Sequence, residues 1–258
     1  MTQQPQSKTA AILVIGDEIL SGRTKDKNIG WIAEQLNEIG VDLCEARVIP
    51  DVESVIVETV KSLSQAYDYV FTSGGIGPTH DDITTACVAK AFGKKVIRHE
   101  EAMRRLLVHY EGTDIPFNEA RQKMADIPED ATLIDNPASA APGFILHNVY
   151  VMAGVPSILQ AMFEGLRSRL EGGQKKRRLT VQCAIGEGTI ATIMAEVSNH
   201  FEGLSVGSYP WFKPGQFGTA VVVSSKTFDD VLAAANQIAS RVRADGFEAI
   251  ILEEGQDK

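Results

Sequence analysis

Apolar residues along the chain follow two rhythms. Residues 10–15 (AAILVI) form a continuous apolar run ending at Gly16, the pattern of a buried strand that leads into a loop. Residues 28–39 place Ile29, Ile32, Ala33, Leu36 and Ile39 on one helical face, and Gly40 supplies the stop. Residues 41–48 predict a second strand. Residues 52–63 predict an amphipathic helix with Asp51 as its N-cap, 69–72 a third strand, and 83–92 a third helix stopped at Gly93. This alternation predicts an α/β fold with a mostly parallel sheet and helices on both faces, a three-layer α/β/α arrangement. The loops 16–22 and 73–82 both follow strands, so both belong at the sheet edge where such folds bind ligands.

Further along, 99–110 and 117–125 have helical spacing. Residues 132–134, 143–147 and 149–152 predict strands, the last two joined as a hairpin through His147 and Asn148. A helix over 156–170 has proline in its first turn. The run EGGQKKRR (171–178) predicts a linker, its basic residues a solvated strand entry. The pattern then restarts with a strand (179–185), a helix (189–200), strands (204–208, 219–224), a helix (228–244) and a strand (248–252). The expected organisation is a domain over 8–172 and a smaller C-terminal α/β sandwich over 176–258.

Composition narrows the function classes. A chain of 258 residues buries a full core without covalent staples. Its net charge of −9 argues against a nucleic-acid partner, which needs a basic surface. The three cysteines, Cys44, Cys87 and Cys183, form neither a disulfide framework nor a zinc pattern, and read as small buried apolar residues. Residues 1–9 are polar and lack a signal-peptide core, and no apolar run approaches the roughly 20 residues that span a bilayer. The expectation is a cytoplasmic protein with no membrane partner.

The strongest chemical signal is SGGIGPTHDD, residues 73–82. Ser73, Gly74, Gly75 and Gly77 permit backbone conformations that let a phosphate approach main-chain N–H groups at a helix N-terminus. Thr79 is a candidate cap of that helix. Asp81 and Asp82, expected in its first turn, either favour the helix dipole or hold a cation beside phosphate oxygens. Gly16, Asp17 and Glu18 follow the first strand at the same edge. Asn28 opens the next helix, where capping is its ordinary role and positioning a ligand phosphate its functional one. Two further loops, 136–144 around Ser139 and 152–157 with Gly154 and Pro156, allow close backbone approach. The glycine run is neither a Walker A loop nor GxGxxG, so glycines alone do not specify a nucleotide.

Taken in order, GDEILSG with Asn28, SGGIGPTHDD, NEARQ (118–122), NPASAAPGF and AGVPS resemble the molybdopterin-binding domain of the MoaB/Mog superfamily, closest to its CinA branch. The resemblance spans about residues 8–172. It continues more weakly through Ile185-Gly186-Glu187 and Gly207-Ser208-Tyr209-Pro210. It implies a pocket for a pterin phosphate or a dinucleotide pyrophosphate and a closed homo-oligomer, dimer or trimer, with a homodimer the expectation. It also implies a divalent metal ion (Mg, Mn or Co) serving cleavage of an ADP-ribose- or FAD-like dinucleotide. Asp82 matches the acidic residue shared across the superfamily and Asp81 the additional one of the CinA branch. Gly74, Gly75 and Gly77 match the phosphate loop. The alternative it implies is a non-catalytic molybdopterin-binding protein of molybdenum cofactor metabolism. Ser73 replaces the family threonine. His80 replaces the lysine of the GPTKDD form, removing a fixed positive charge. No nicotinamide-nucleotide deamidase segment is recognised, so that activity is not expected.

Overall fold

Packing of the apolar runs against one another generates two units, Met1–Gly173 and Gln174–Lys258. The computed structural model describes residues 7–252, so residues 1–6 of the polar N-terminal stretch and 253–258 of the predicted small domain lie outside it. In the first unit the chain forms β1 (Thr9–Ile15), α1 (Asp17–Leu20), α2 (Asn28–Glu38), β2 (Asp42–Ile49) and α3 (Glu53–Ala66). It continues through β3 (Tyr69–Ser73), α4 (Thr84–Ala91), β4 (Val96–Arg98), α5 (Glu100–Tyr110), α6 (Glu119–Gln122) and β5 (Asp126–Pro128). The strands β6 (Thr132–Ile134), β7 (Gly143–Leu146) and β8 (Val149–Met152) and the helix α7 (Pro156–Leu166) complete it.

Six of these strands make one sheet in the order β2-β1-β3-β8-β7-β6. β2, β1, β3 and β8 run parallel, while β7 and β6 are antiparallel neighbours. Alternate residues of β1 serve opposite faces, as strand geometry requires. Ala11, Leu13 and Ile15 pack with Ile56, Val60 and Leu63 of α3, Val88 of α4 and Leu106 of α5. Ala10, Ile12 and Val14 pack with Ile32 and Leu36 of α2 and Leu159, Met162 and Phe163 of α7. The result is the expected three-layer arrangement. Because both faces are covered, β1 is apolar throughout rather than alternating.

In the second unit β9 (Arg177–Cys183), α8 (Glu187–His200), β10 (Ser205–Lys213), β11 (Gln216–Ser225), α9 (Phe228–Ala244) and β12 (Ala249–Leu252) follow. The sheet is antiparallel, ordered β10-β11-β9-β12. Leu179, Val181 and Cys183 of β9 and Val221 and Val223 of β11 pack under α8 and α9 through Ile190, Val197, Ala235 and Ile238. Pro210 lies mid-strand in β10, tolerable because that strand is at the edge.

Several expectations need correction. The third helix begins at Thr84, so Asp81 and Asp82 precede it and Thr79 is no cap. The cause is local: Thr79 and Asp82 close a turn of their own, while the Thr84 N–H donates to the Gly75 carbonyl at 3.0 Å. Asp51 does not cap α3, whose N-cap position is Val52. The region 117–125 divides into α6 and a 3-10 turn over Lys123–Ala125. Likewise 156–170 divides into α7 and a 3-10 turn over Arg167–Arg169. β4 and β5, three residues each and paired with one another, are too short to show a periodic pattern. Cys44 is exposed; only Cys87 and Cys183 are buried, and burial pushes both thiols up to about 11. No helix among the described residues is long and apolar enough to cross a membrane.

The basic run already enters β9 at Arg177, which leaves Lys175 and Lys176 as the basic residues between the last 3-10 turn and β9. Limited trypsin digestion is expected to cut there first and leave a resistant fragment near residues 1–175. Earlier cutting within either unit would contradict that boundary.

Candidate functional site

The parallel strands β1, β2, β3 and β8 all end at one edge of the sheet, and their following loops converge. Between them opens a cavity of about 750 Å³. Gly16 and Glu18 reach it from the loop after β1, and Asp51 from the loop after β2. Gly74, Gly75, Gly77, Asp81 and Asp82 come from the loop after β3, Gly154 and Pro156 from the turn after β8, and Ser139 from the β6–β7 connection. Four expected residues do not line it: Asp17, Asn28, Ser73 and Thr79.

Backbone demands decide two of the glycines. Gly74 has φ 111° and Gly75 φ 71°, the left-handed region where side chains are strained. A Cβ at Gly74 would run into the Ile15 carbonyl, and one at Gly75 into the Thr84 hydroxyl. Asn28 is buried, 4% exposed, and works from beneath: its Nδ2 donates to Ser73 Oγ and to the Gly154 carbonyl, both at 2.8 Å. One amide thus ties the end of β3 to the turn after β8. Among the described residues Asn28 Oδ1 has no hydrogen-bond partner. The Asn136 side chain organises the facing loop: Nδ2 donates to Ser139 Oγ and the Ala141 carbonyl, and Oδ1 accepts the Ala138 and Ser139 N–H groups.

The two adjacent aspartates are not equivalent. Asp82 Oδ2 accepts the Thr79 N–H at 2.8 Å and the Thr79 hydroxyl at 2.5 Å. The Asp81 side chain is 66% exposed. Its carboxyl is held below the usual range, first by the Thr79 hydroxyl, whose one proton Asp82 also claims, then by its own backbone N–H, and further by the Lys123 ammonium. His80 is 99% exposed, so it forms no wall of the cavity. Lys123, from the 3-10 turn after α6, approaches the loop instead. Its ammonium donates to the carbonyls of Thr79 (2.8 Å) and Asp82 (3.0 Å).

Asp51 is the acidic residue that sequence reasoning missed as a site residue. Its Oδ2 accepts the Asp17 N–H at 3.0 Å. Burial raises its carboxyl pKa, the Asp17 N–H opposes that, and the charges of Asp17, Glu18 and Asp81 raise it further. The signal was available: Asp51 lies two residues beyond the end of a strand parallel to β1. Arg23, Thr24, Tyr110 and Met124 also line the cavity and carried no comparable local signal.

Among the described residues no three His, Cys, Asp or Glu side chains form a ready metal cage. Glu18, Asp51, Asp81 and Asp82 nevertheless share the cavity wall. That donor set fits a hard divalent cation bound by one or two carboxylates and completed by ligand phosphate oxygens, the usual habit of Mg²⁺.

Residues 11–171 match the family model described as a probable molybdopterin binding domain. Residues 177–249 match the middle domain of FAD synthase. A protein of Pyrobaculum calidifontis is 34% identical over 211 residues, which cover 78% of this chain and 80% of that protein. A probable FAD synthase of Caenorhabditis elegans is 34% identical over 263 residues, 92% of this chain but 51% of the relative, so this chain spans about half of that protein. The crystal structure of the protein CinA from Thermoplasma acidophilum, described as of unknown function, aligns with TM-score 0.59 and 31% identity. The alignment covers 63% of this chain and 98% of that one.

Asp51→Asn tests the acidic wall. The amide oxygen still accepts the Asp17 N–H, while the half-buried charge disappears. A raised carboxyl pKa means that ionised Asp51 costs stability as pH rises through and above the ordinary carboxylate range. At neutral pH the variant is therefore expected to melt at the same or a higher temperature than wild type, yet to bind divalent cations at least about tenfold more weakly. A lower melting temperature with unchanged cation binding would show a purely structural Asp51.

Proposed function

Because the chain belongs to the family of probable molybdopterin-binding domains, in its CinA-like branch, we propose that its cavity binds a phosphorylated pterin or adenine dinucleotide and hydrolyses the dinucleotide's pyrophosphate with a divalent metal. The observation that carries this reading is the juxtaposition of the left-handed Gly74–Gly75 turn with four carboxylates in one cavity. The Gly74 N–H is held by the Met152 carbonyl, so the N–H groups that a phosphate would meet are those of the loop from Gly75 onward. Carboxylates alone would repel that phosphate, so their presence in the same wall argues for a cation between them. The FAD synthase relatives support a nucleotide-sized ligand.

In this reading the glycine loop holds the diphosphate, and Arg23 and Lys123 supply fixed positive charge nearby. A bound divalent cation would withdraw charge from the leaving phosphate. A water oxygen attacks one phosphorus, the bridging P–O bond breaks, and the departing phosphate carries the electron pair away. Asp51, half-buried in the same wall, would supply the cation an oxygen ligand or orient that water, whose proton passes to solvent. Asn28 and Asp82 position the loop; Asp81 and Asp51 face the cation.

Turnover of ADP-ribose and FAD with Mg²⁺, Mn²⁺ and Co²⁺ provides the test, run on wild type and on Asp81→Asn and Asp82→Asn. Hydrolysis is expected in wild type and is expected to fall at least about a hundredfold in Asp81→Asn with its melting temperature preserved. Asp82→Asn is expected to lose both turnover and some stability, because its carboxylate also closes the Thr79 turn. If wild type hydrolyses nothing with any metal, the chain is the non-catalytic pterin-binding alternative. The resemblance further favours a homodimer, expected in light scattering as a mass of two chains; a monomer at micromolar concentration would reject it.

A further inference from the structure

The helix α5 turns two unlike faces. Its inner side sends Ala102 and Leu106 into the core and Tyr110 to the main cavity. Its outer side carries Arg104, Leu107, Val108 and Glu111, spaced at i, i+3, i+4 and i+7, so the four form one stripe. Glu111 belongs to it because its N–H still donates to the Leu107 carbonyl at 2.9 Å. All four are exposed. Leu107 is 51% exposed and Val108 59%, and among the described residues no other helix of the first unit leaves two large apolar side chains so open. The charges at the ends of the stripe are not explained by the helix itself. Glu111 stands at the negative end of the helix dipole, where a basic residue would be the stabilising choice. Arg104 gives its Nε and one Nη2 proton to Glu101, and a guanidinium has further donors to place.

We propose that this stripe is the surface on which a second copy of the chain docks, α5 antiparallel to α5 across a two-fold axis. The inference rests on the homodimer reading above and adds to it the face that pairs. A two-fold contact uses the same patch twice, so the patch must complement itself. This one does. An axis passing between Leu107 and Val108 leaves positions 104 and 111 equidistant from it along the helix. Leu107 of each copy then meets Val108 of the other, and Arg104 of each copy meets Glu111 of the other. A parallel pairing would instead set Arg104 against Arg104 and Glu111 against Glu111. The apolar pairs form the dry centre and the charged pairs the rim, the usual division of an interface. Rim charges of this kind set register and orientation and reject the wrong pairing.

Light scattering of the full chain over a range of concentrations tests the face on wild type, Leu107→Asp, Arg104→Glu, Glu111→Arg and the double variant Arg104→Glu with Glu111→Arg. The positions are exposed, so the fold is expected to persist in each; thermal melts verify this. Leu107→Asp is expected to be a monomer where wild type has the mass of two chains. Each single charge variant sets like charges across the axis and is expected to raise the dimer dissociation constant at least about tenfold. The double variant restores opposite charges and is expected to return to within about threefold of wild type. Mixing the two single variants also restores both pairs, so a dimer is expected in the mixture at a concentration where either variant alone is a monomer. If wild type dimerises and Leu107→Asp and the single charge variants dimerise equally well, the face is wrong while the homodimer stands. If the single variants weaken and neither the double variant nor the mixture recovers, the antiparallel pairing is overturned. If wild type is a monomer, the homodimer reading fails and this inference with it.

Discussion

The site depends on how closely three backbone segments approach at the carboxyl edge of the sheet. Gly74 donates its N–H to the Met152 carbonyl at 3.2 Å, and Gly154 lies directly against the Gly74 Cα. A side chain at Gly74 would strike the Ile15 carbonyl. β1, β3 and β8 can therefore release their loops into a common space only if residue 74 is glycine, since holding another residue in such a conformation costs about 1–3 kcal/mol before any collision. Asn28 completes the constraint from α2. Its two donor bonds fix the ends of β3 and β8 relative to each other, a buried junction whose loss would leave partners unsatisfied.

Given that geometry, electrostatics becomes the deciding problem. The cavity wall collects Glu18, Asp51, Asp81 and Asp82 against Arg23. Ionised together at short range in a partly buried setting they repel one another, and the raised pKa of Asp51 registers that strain alongside its burial. An anionic ligand entering alone would add to it. In the proposed reading a cation would relieve the carboxylates and then favour the phosphate, and each would strengthen the binding of the other by the same factor. Lys123 contributes from outside the acidic wall, anchored to main-chain carbonyls rather than neutralised by a carboxylate. It thereby offsets the charge missing at position 80, where the His80 side chain extends into solvent.

The order of strands and helices was legible because each run is long enough to show its period. β1 and α9 are cases where seven and seventeen residues carry an uninterrupted signal. β4 and β5 escaped because three residues cannot show one. The candidate loops were legible for a different reason: a loop that follows a parallel strand lies at the ligand edge whatever its sequence. The same rule reaches Asp51, yet a helix immediately after it made capping the nearer explanation. That contact is tertiary, joining residues 34 positions apart, and no local pattern encodes it. Asn28 was misplaced for a similar reason. Its position at a helix start suggests a cap, whereas its partners lie 45 and 126 residues away.

Glycine richness and function separate at residue 75. A Cβ there meets the Thr84 hydroxyl in the protein itself, so packing alone accounts for this glycine and no ligand is needed to explain it. Its replacement would damage the fold before it reported on binding. The discriminating information lies in the carboxylates, and there the two aspartates part. Asp82 spends its carboxylate on Thr79, which maintains the turn that puts Gly77 in the cavity wall. Asp81 stays two-thirds exposed to the cavity's solvent, and Asp51 is half-buried behind it with a carboxyl reluctant to ionise. In the proposed reading Asp81 would keep its charge beside the cation, and Asp51, brought to the same wall from the loop after β2, would lend it a second carboxylate.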